Sequence, residues 1–320
     1  MREAAWVIGA GGLLGSALVR ALGHSGAALH RVEERLAWGR NDLLAAQLDR
    51  EVAAFARTAE KAQRWLLVWA AGVGSMSSDA AHLIIESQAL DLLLARLRAE
   101  PALQAMPGCL VLASSAGAVY GQSRAECISE ASEVAPGTSY ASHKLQQEER
   151  FRAAIQGQPG WSVLIARYST LYGIGQSRDK AQGLISQMAR RIVANEVVHI
   201  YVPLDTIRDY IFADDAADRT LAALRDLHSR PGEVVVKIIA AEQATSIAQL
   251  VGVFRRVSRR PVRLVTSVNS LSPLYLRCIR FRSDEPAGQP HMNCRSLHIG
   301  IHQVLEAERT AAFRHQPLPS

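Results

Sequence analysis

The run Val-Ile-Gly-Ala-Gly-Gly-Leu-Leu-Gly-Ser-Ala-Leu-Val at residues 7–19 constrains the fold of this chain more than any other stretch. Residues 4–8 read as a buried strand and 13–22 as an amphipathic helix. Between and within them Gly9, Gly12 and Gly15 recur at three-residue spacing, with Gly11 inside the series. Glycine there permits a tight strand-to-helix turn, lets backbone N–H groups approach a pyrophosphate, and lets helix and strand pack closely. The helix N-terminus adds the positive end of its dipole. A glycine-rich loop alone only turns a chain; the strand before it and the helix after it are what point to a dinucleotide. Glu33 stands near the end of the next strand, where a carboxylate accepts hydrogen bonds from an adenosine ribose. Arg31 and Arg35 flank it and would suit a 2′-phosphate. NAD is therefore the expected cofactor, and NADP stays open.

The strand–helix rhythm continues through the first half. Strands are expected at 27–32, 65–71, 110–113 and 162–166, and helices at 44–58, 80–98 and 140–154. This order implies an α/β fold, a Rossmann-type doubly wound parallel sheet covered on both faces. After residue 171 the rhythm changes, with helices expected at 183–194, 215–227 and 246–257 and short strands at 199–201 and 234–239. No internal repeat or long linker separates modules. The expected division is an NAD(P)-binding domain over 1–170, joined by part of 205–230, and a smaller mixed α/β substrate lobe over 171–320.

Composition narrows the function classes. With 320 residues, 48% of them hydrophobic and 21% charged, and a mean hydropathy of +0.02, the chain is not intrinsically disordered. No apolar run reaches the ~20 residues that span a bilayer. The apolar N-terminus is broken by glycines and has no small-residue cleavage site, so neither a signal peptide nor a membrane partner is expected. The cysteines at 109, 127, 278 and 294 form no C-x-x-C pair, and the histidines form no ligand set, so free thiols, a cytoplasmic location and no metal are expected. The net charge of +6 raises the question of nucleic acid, chiefly through FRRVSRRPVR at 254–263. That stretch lacks interleaved aromatics, and helical spacing spreads its arginines round a surface. A solvated face is the better reading, with no nucleic-acid partner.

Of the 36 basic residues only four are lysines, at 61, 144, 180 and 237. Lys144 lies four residues after Tyr140, a spacing that puts phenol and ammonium on one helix face. A tyrosine ionises near pH ~10 in isolation and needs a nearby cation to act as a base at neutral pH. Upstream, Ser114 and Ser115 lead from an apolar run into a glycine-containing turn, where a hydroxyl could hydrogen-bond a reacting oxygen.

Together these segments resemble the extended short-chain dehydrogenases/reductases of the NAD-dependent epimerase/dehydratase family. The likeness rests on GAGGLLGS at 9–16, WAAG at 69–72, SSAGAVYG at 114–121, YASHK at 140–144, RYSTLYGIGQ at 167–176 and RDYIFADDAA at 208–217. The resemblance implies that Tyr140 is the general base and acid, that Lys144 lowers its pKa and holds the nicotinamide ribose, and that a serine of the SSAG turn completes the triad. Counting back from Tyr140 favours Ser115, with Ser114 as the alternative. It further implies cofactor contacts from Gly9, Gly12, Leu13, Leu14 and Gly15, from Glu33 on the ribose and Asp42 on the adenine, and from the backbone of Ala70, Ala71 and Gly72. Substrate contacts would come from Ser114, Ser115, Thr170, Arg208 and Arg282, the two arginines gripping a nucleotide diphosphate. Arg208 also has a structural reading, as an ion pair with Asp209 or Asp215. Relatives of this kind commonly dimerise through the helix that carries Tyr140 and Lys144.

Some positions depart from the family pattern. Thr170 replaces an asparagine, Val202-Pro203-Leu204-Asp205 replaces a glycine turn, and Gly117 and Ala118 stand where sugar dehydratases carry an Asp-Glu pair. Loss of water across a carbon–carbon bond needs such a pair, so dehydration is disfavoured. The expected activity is epimerisation of a nucleotide-linked hexose at C4 through a transient keto-sugar. A one-way NAD(P)H-dependent ketoreductase is the alternative, and a non-catalytic dinucleotide-binding regulator the second alternative.

Overall fold

The computed structural model describes residues 3–72, 80–176, 183–267, 278–284 and 293–314. The first part of the chain runs β1 (Glu3–Ile8), α1 (Leu13–His24), β2 (Ala28–His30), α2 (Asn41–Ala59), β3 (Arg64–Trp69), α3 (Ala80–Ala99), α4 (Pro101–Gln104), β4 (Gly108–Ser115), α5 (Ala116–Val119), α6 (Ser139–Ala154) and β5 (Trp161–Tyr168). It continues with β6 (Thr170–Tyr172), α7 (Leu184–Val193), β7 (Val198–Ile200), β8 (Ile207–Phe212), α8 (Ala213–Leu227), β9 (Val234–Ile239), β10 (Ala244–Ser246), α9 (Ile247–Ser258), β11 (Leu264–Thr266) and α10 (Leu297–Arg314).

Six strands pair in parallel in the order β2-β1-β3-β4-β5-β9. Each central strand is buried on both faces, which is why its sequence is a continuous apolar run rather than an alternation. Trp6, Trp65, Trp69 and Trp161 point with Leu67 and Leu110 to the face covered by α2, α3 and α6. Ala5, Val7, Leu66 and Val111 point to the opposite face, under α1 and α8. The indole N–H groups of Trp65 and Trp161 both donate to the carbonyl of Leu103, in α4, at 3.0 and 3.1 Å. Two large buried rings thus keep their polar atoms satisfied.

The chain crosses back into this sheet late. Besides α8, which packs on α1, strand β9 pairs with β5 along Val163–Tyr168, so the layer takes in chain beyond the 205–230 stretch. The smaller lobe has its own core, built from Ile185, Met188, Ile192, Tyr210, Leu250, Phe254, Ile301 and Leu305. It carries a three-stranded sheet in the order β10-β8-β6 and the pair β11-β7. Arg255, Arg256, Arg259, Arg260 and Arg263 are exposed while Val253, Phe254 and Val262 are buried, so the basic stretch is a solvated face. No helix of the described residues is long and apolar enough to cross a membrane.

Candidate active site

The site forms at the C-terminal ends of the parallel strands. With β2 on one side of β1 and β3 on the other, consecutive crossovers leave in opposite directions, and a crevice opens between the loops after β1 and β3. Gly9 has φ +89°, and a Cβ there would lie 2.6 Å from the carbonyl oxygen of Ala70 and from the amide nitrogen of Ala71. At Gly15 a Cβ would fall 2.1 Å from the Gly9 carbonyl oxygen. Only glycine lets the two loops and α1 come this close. Gly11 is exposed and faces open space. Gly12 caps α1 with no side-chain hydrogen bond, and the first turn, which includes Leu13 and Leu14, carries no acidic residue. The free N–H groups and positive dipole end of α1 therefore remain available to an anion, and the cradle fits a dinucleotide pyrophosphate.

The other arm of the site is α6. Thr138 caps it, its hydroxyl accepting from the Ala141 amide at 3.1 Å, and Tyr140 follows in the first turn, half-buried. One turn on, Lys144 is buried, and its Nζ lies 5.7 Å from the centre of the Tyr140 ring. That ammonium donates to the Gln147 side-chain carbonyl at 2.8 Å and to the Ala113 carbonyl, near the end of β4, at 3.4 Å. The i, i+4 reading of this pair thus corresponds to a real contact across one helix turn, held over the end of a core strand.

The two serines of β4 differ in environment. Ser114 is 4% exposed, and its hydroxyl donates to Glu148 Oε1 at 2.7 Å. Glu148 is gripped by Arg167 through Nε at 2.9 Å and Nη2 at 2.6 Å, and Arg167 donates from Nη1 to the Tyr120 hydroxyl at 2.6 Å. Burial pushes the Tyr120 phenol up in spite of the arginine. Ser115 is half-buried at the N-cap of α5 and makes no side-chain capping bond.

Several family motifs therefore serve to join segments together. VYG reaches RYS through Tyr120 and Arg167, and RYS reaches RDY through Ser169, whose hydroxyl donates to Asp209 at 2.6 Å. Asp209 also accepts the amides of Ala241 and Gln243 at 2.9 and 2.8 Å; burial raises its pKa, and these bonds oppose the rise. Asp215 pairs with Arg295 at 2.9 Å. Arg208 is half-buried and donates to the Ile207 carbonyl at 2.7 Å.

The remaining expected residues are more dispersed. Glu33 is exposed, three residues past the end of β2, and Asp42 is exposed in the first turn of α2. Thr170 is exposed at the start of β6. Arg282 is exposed on the segment 278–284, which hangs on the Ile207 carbonyl through the Ile279 amide and on Ile128 through the Arg282 amide at 2.9 Å. The start of that segment, at Cys278, bridges Ile207, the first residue of β8. Its anchor is Glu130, which accepts from the Ser283 hydroxyl at 2.6 Å, the Asp284 amide at 2.6 Å and the Ile238 amide at 2.7 Å. Sequence reasoning missed Glu130, Glu86 and Gln147, because none sits in a motif; the partners of Glu130 and Glu86 are far away in the chain, and Gln147 gains its place by bridging Lys144 to the distant Glu86.

A parallel sheet with this glycine cradle and a buried lysine under a tyrosine defines a Rossmann-type dinucleotide-binding protein of the short-chain dehydrogenase/reductase class. The profile of the NAD dependent epimerase/dehydratase family matches residues 5–238, and the chain belongs to that family. The family is NAD-dependent, in agreement with the cradle described above. Among curated relatives, dTDP-4-dehydro-6-deoxyglucose reductase of Escherichia coli is 32% identical over 119 residues, which is 37% of each chain. UDP-glucose 4-epimerase 4 of Oryza sativa subsp. japonica is 28% identical over 173 residues, 49% of this chain and 47% of its own. These matches thus cover half or less of the curated relatives' length. The structure of UDP-glucose 4-epimerase from Thermotoga maritima with UDP-glucose superposes with a TM-score of 0.76 at 16% identity, over 98% of this chain and 100% of that one. The Thermus thermophilus UDP-glucose 4-epimerase complex with NAD gives 0.74 at 18% identity, over 97% and 100%. Such likeness establishes the fold.

Proposed function

We propose that this protein is an NAD-dependent epimerase of a nucleotide-linked hexose that inverts C4 through a transient keto-sugar. The observation that carries the reading is the half-buried Tyr140 with the Lys144 ammonium 5.7 Å from its ring centre; Ser115, at the end of β4, makes no side-chain capping bond. Tyr140 takes the hydroxyl proton of the hexose as general base and returns it as general acid. Ser115 hydrogen-bonds the same oxygen and orients it. Lys144 stabilises the phenolate and contacts the nicotinamide ribose. NAD, held over the cradle of Gly9, Gly12 and Gly15, would supply the reversible hydride acceptor that passage through a keto-sugar requires. Gly9, Gly12, Leu13, Leu14 and Gly15 hold the pyrophosphate, with Ala70, Ala71 and Gly72 along the cofactor, Glu33 on its ribose and Asp42 on its adenine. Arg208, Arg282 and Thr170 face the substrate, and the chain works as a homodimer in the cytoplasm. Gly117 and Ala118 supply no acid–base pair for dehydration.

The relationship to a dTDP-4-dehydro-6-deoxyglucose reductase favours one second reading, a ketoreductase with exchangeable NAD(P)H. The test incubates the purified protein with UDP-, GDP- and dTDP-hexoses and separates the products by chromatography. An epimer formed without net redox change is expected, with Tyr140→Phe inactive. Net consumption of NADPH with a keto-sugar selects the reductase. Unimpaired epimerisation by Tyr140→Phe would refute the mechanism.

A further inference from the structure

Behind the tyrosine–lysine pair lies a charged network that no sequence motif marks. Glu86 of α3 is 2% exposed. Its Oε1 accepts from the Gln147 side-chain amide at 2.7 Å and lies 3.6 Å from Lys144 Nζ. The Gln147 carbonyl accepts from that same ammonium at 2.8 Å, so one amide touches both charges. His143 Nε2 is also 3.6 Å from Oε1, and its Nδ1 is 3.4 Å from the Ser87 hydroxyl. From the loop after β3, a Cβ at Gly72 would come within 3.2 Å of both carboxylate oxygens. Among the described residues, the groups facing Glu86 are therefore Lys144, His143 and Gln147 from α6 and the Gly72 backbone.

We propose that Glu86 is a positioning residue whose carboxylate, together with the Gln147 amide, anchors the Lys144 ammonium beneath the Tyr140 ring and keeps it charged. The inference rests on the reading of Tyr140 and Lys144 as the reactive pair and deepens it. A lysine carries three rotatable N–H donors on a flexible stem, and a buried one gives up its proton readily when no counter-charge is near. Here the Gln147 and Ala113 carbonyls take up two of those donors, and the Glu86 carboxylate lies 3.6 Å away as the counter-charge. Burial pushes Glu86 up, but His143, the Lys144 charge and the Gln147 amide outweigh it and hold the carboxyl at about 2. Glu86 is then an anion throughout the pH range in which a tyrosine base works. Its field acts on Lys144 as strongly as that of Lys144 acts on it.

The scarcity of lysine makes the test direct. With [ε-13C]lysine the protein shows only four side-chain signals, and Lys144→Met assigns one of them. In Glu86→Gln the Lys144 signal is expected to titrate about one pH unit or more below its position in the unaltered protein. The alkaline limb of the kcat/KM profile should move down with it. Glu86→Asp should restore part of both shifts. A Lys144 midpoint that stays in place while thermal stability falls means that Glu86 only fills space, and overturns the proposal. Should Glu86→Gln fail to fold, Glu86→Ala, which also removes the charge, carries the test, and an unmoved Lys144 midpoint again refutes it. The titration needs no substrate. A protein inactive on every sugar nucleotide would sink the functional reading without touching this result.

Discussion

Replacing Ser114 and Ser115 by alanine, one at a time, separates a residue that holds the sheet together from one that serves the reaction. Ser114 donates to Glu148 Oε1 at 2.7 Å in a buried site, and that oxygen's other donor is Arg167 Nε at 2.9 Å. Hydrogen bonds to charged groups contribute about 1.5–3 kcal/mol, and a buried carboxylate that loses one pays its desolvation again. The two Arg167 contacts remain in Ser114→Ala, so the loss should stay within that range. At roughly 2–4 °C per kcal/mol for a large domain, Tm should fall by roughly 3–12 °C. Activity at 25 °C should survive. Ser115 has no capping bond to lose, so Ser115→Ala should change stability by no more than ~0.5 kcal/mol. If its hydroxyl orients the reacting oxygen, kcat should fall by about 10²-fold or more. Circular-dichroism melts and a hexose epimerisation assay on the two variants decide it. Ser114→Ala inactive at an unchanged Tm, or Ser115→Ala fully active, would show that the roles are assigned the wrong way round.

Three further outcomes follow from the same geometry. Gly15→Ala places a methyl where the Gly9 carbonyl now sits, so it should cost about 1–3 kcal/mol and abolish dinucleotide binding in a fluorescence titration, whereas Gly11→Ala, which meets nothing, should leave Tm unchanged. Arg167→Met strands the buried Glu148 carboxylate and should cost about 3–5 kcal/mol in a urea melt; adding Glu148→Gln should recover much of that loss. Glu86 is held at about 2 against 4.5 in the unfolded chain, so the unfolded state binds the extra proton between those values. Its contribution, roughly 3 kcal/mol, is present above pH ~4.5 and is lost as pH falls toward 2, so Glu86→Gln should flatten the acid limb of the stability curve over that window.

Much of the dinucleotide half was legible because its signals are local. A strand, a glycine turn and a helix within residues 4–22 need no distant partner, and the buried strands at 65–69 and 161–168 announce themselves as apolar runs. The Tyr140–Lys144 pair was legible for the same reason, since one helix turn sets it. The last third was less so: α10, β10 and β11 went unread, because short strands and a helix packed on a lobe's own core carry weak periodicity. The return of β9 to the main sheet depends on pairing with a strand some seventy residues earlier.

By itself the sequence determined the glycine cradle, the parallel layering and the spacing of phenol and ammonium, all of them consequences of backbone geometry over a few residues. Tertiary structure alone decided that the Ser114 hydroxyl is committed to a carboxylate, because Glu148 and Arg167 reach it from other elements. It alone put Glu86 of α3 against Lys144 of α6, fifty-eight positions apart. A buried charge must find its counter-charge wherever the fold brings one, and no local pattern records where that will be.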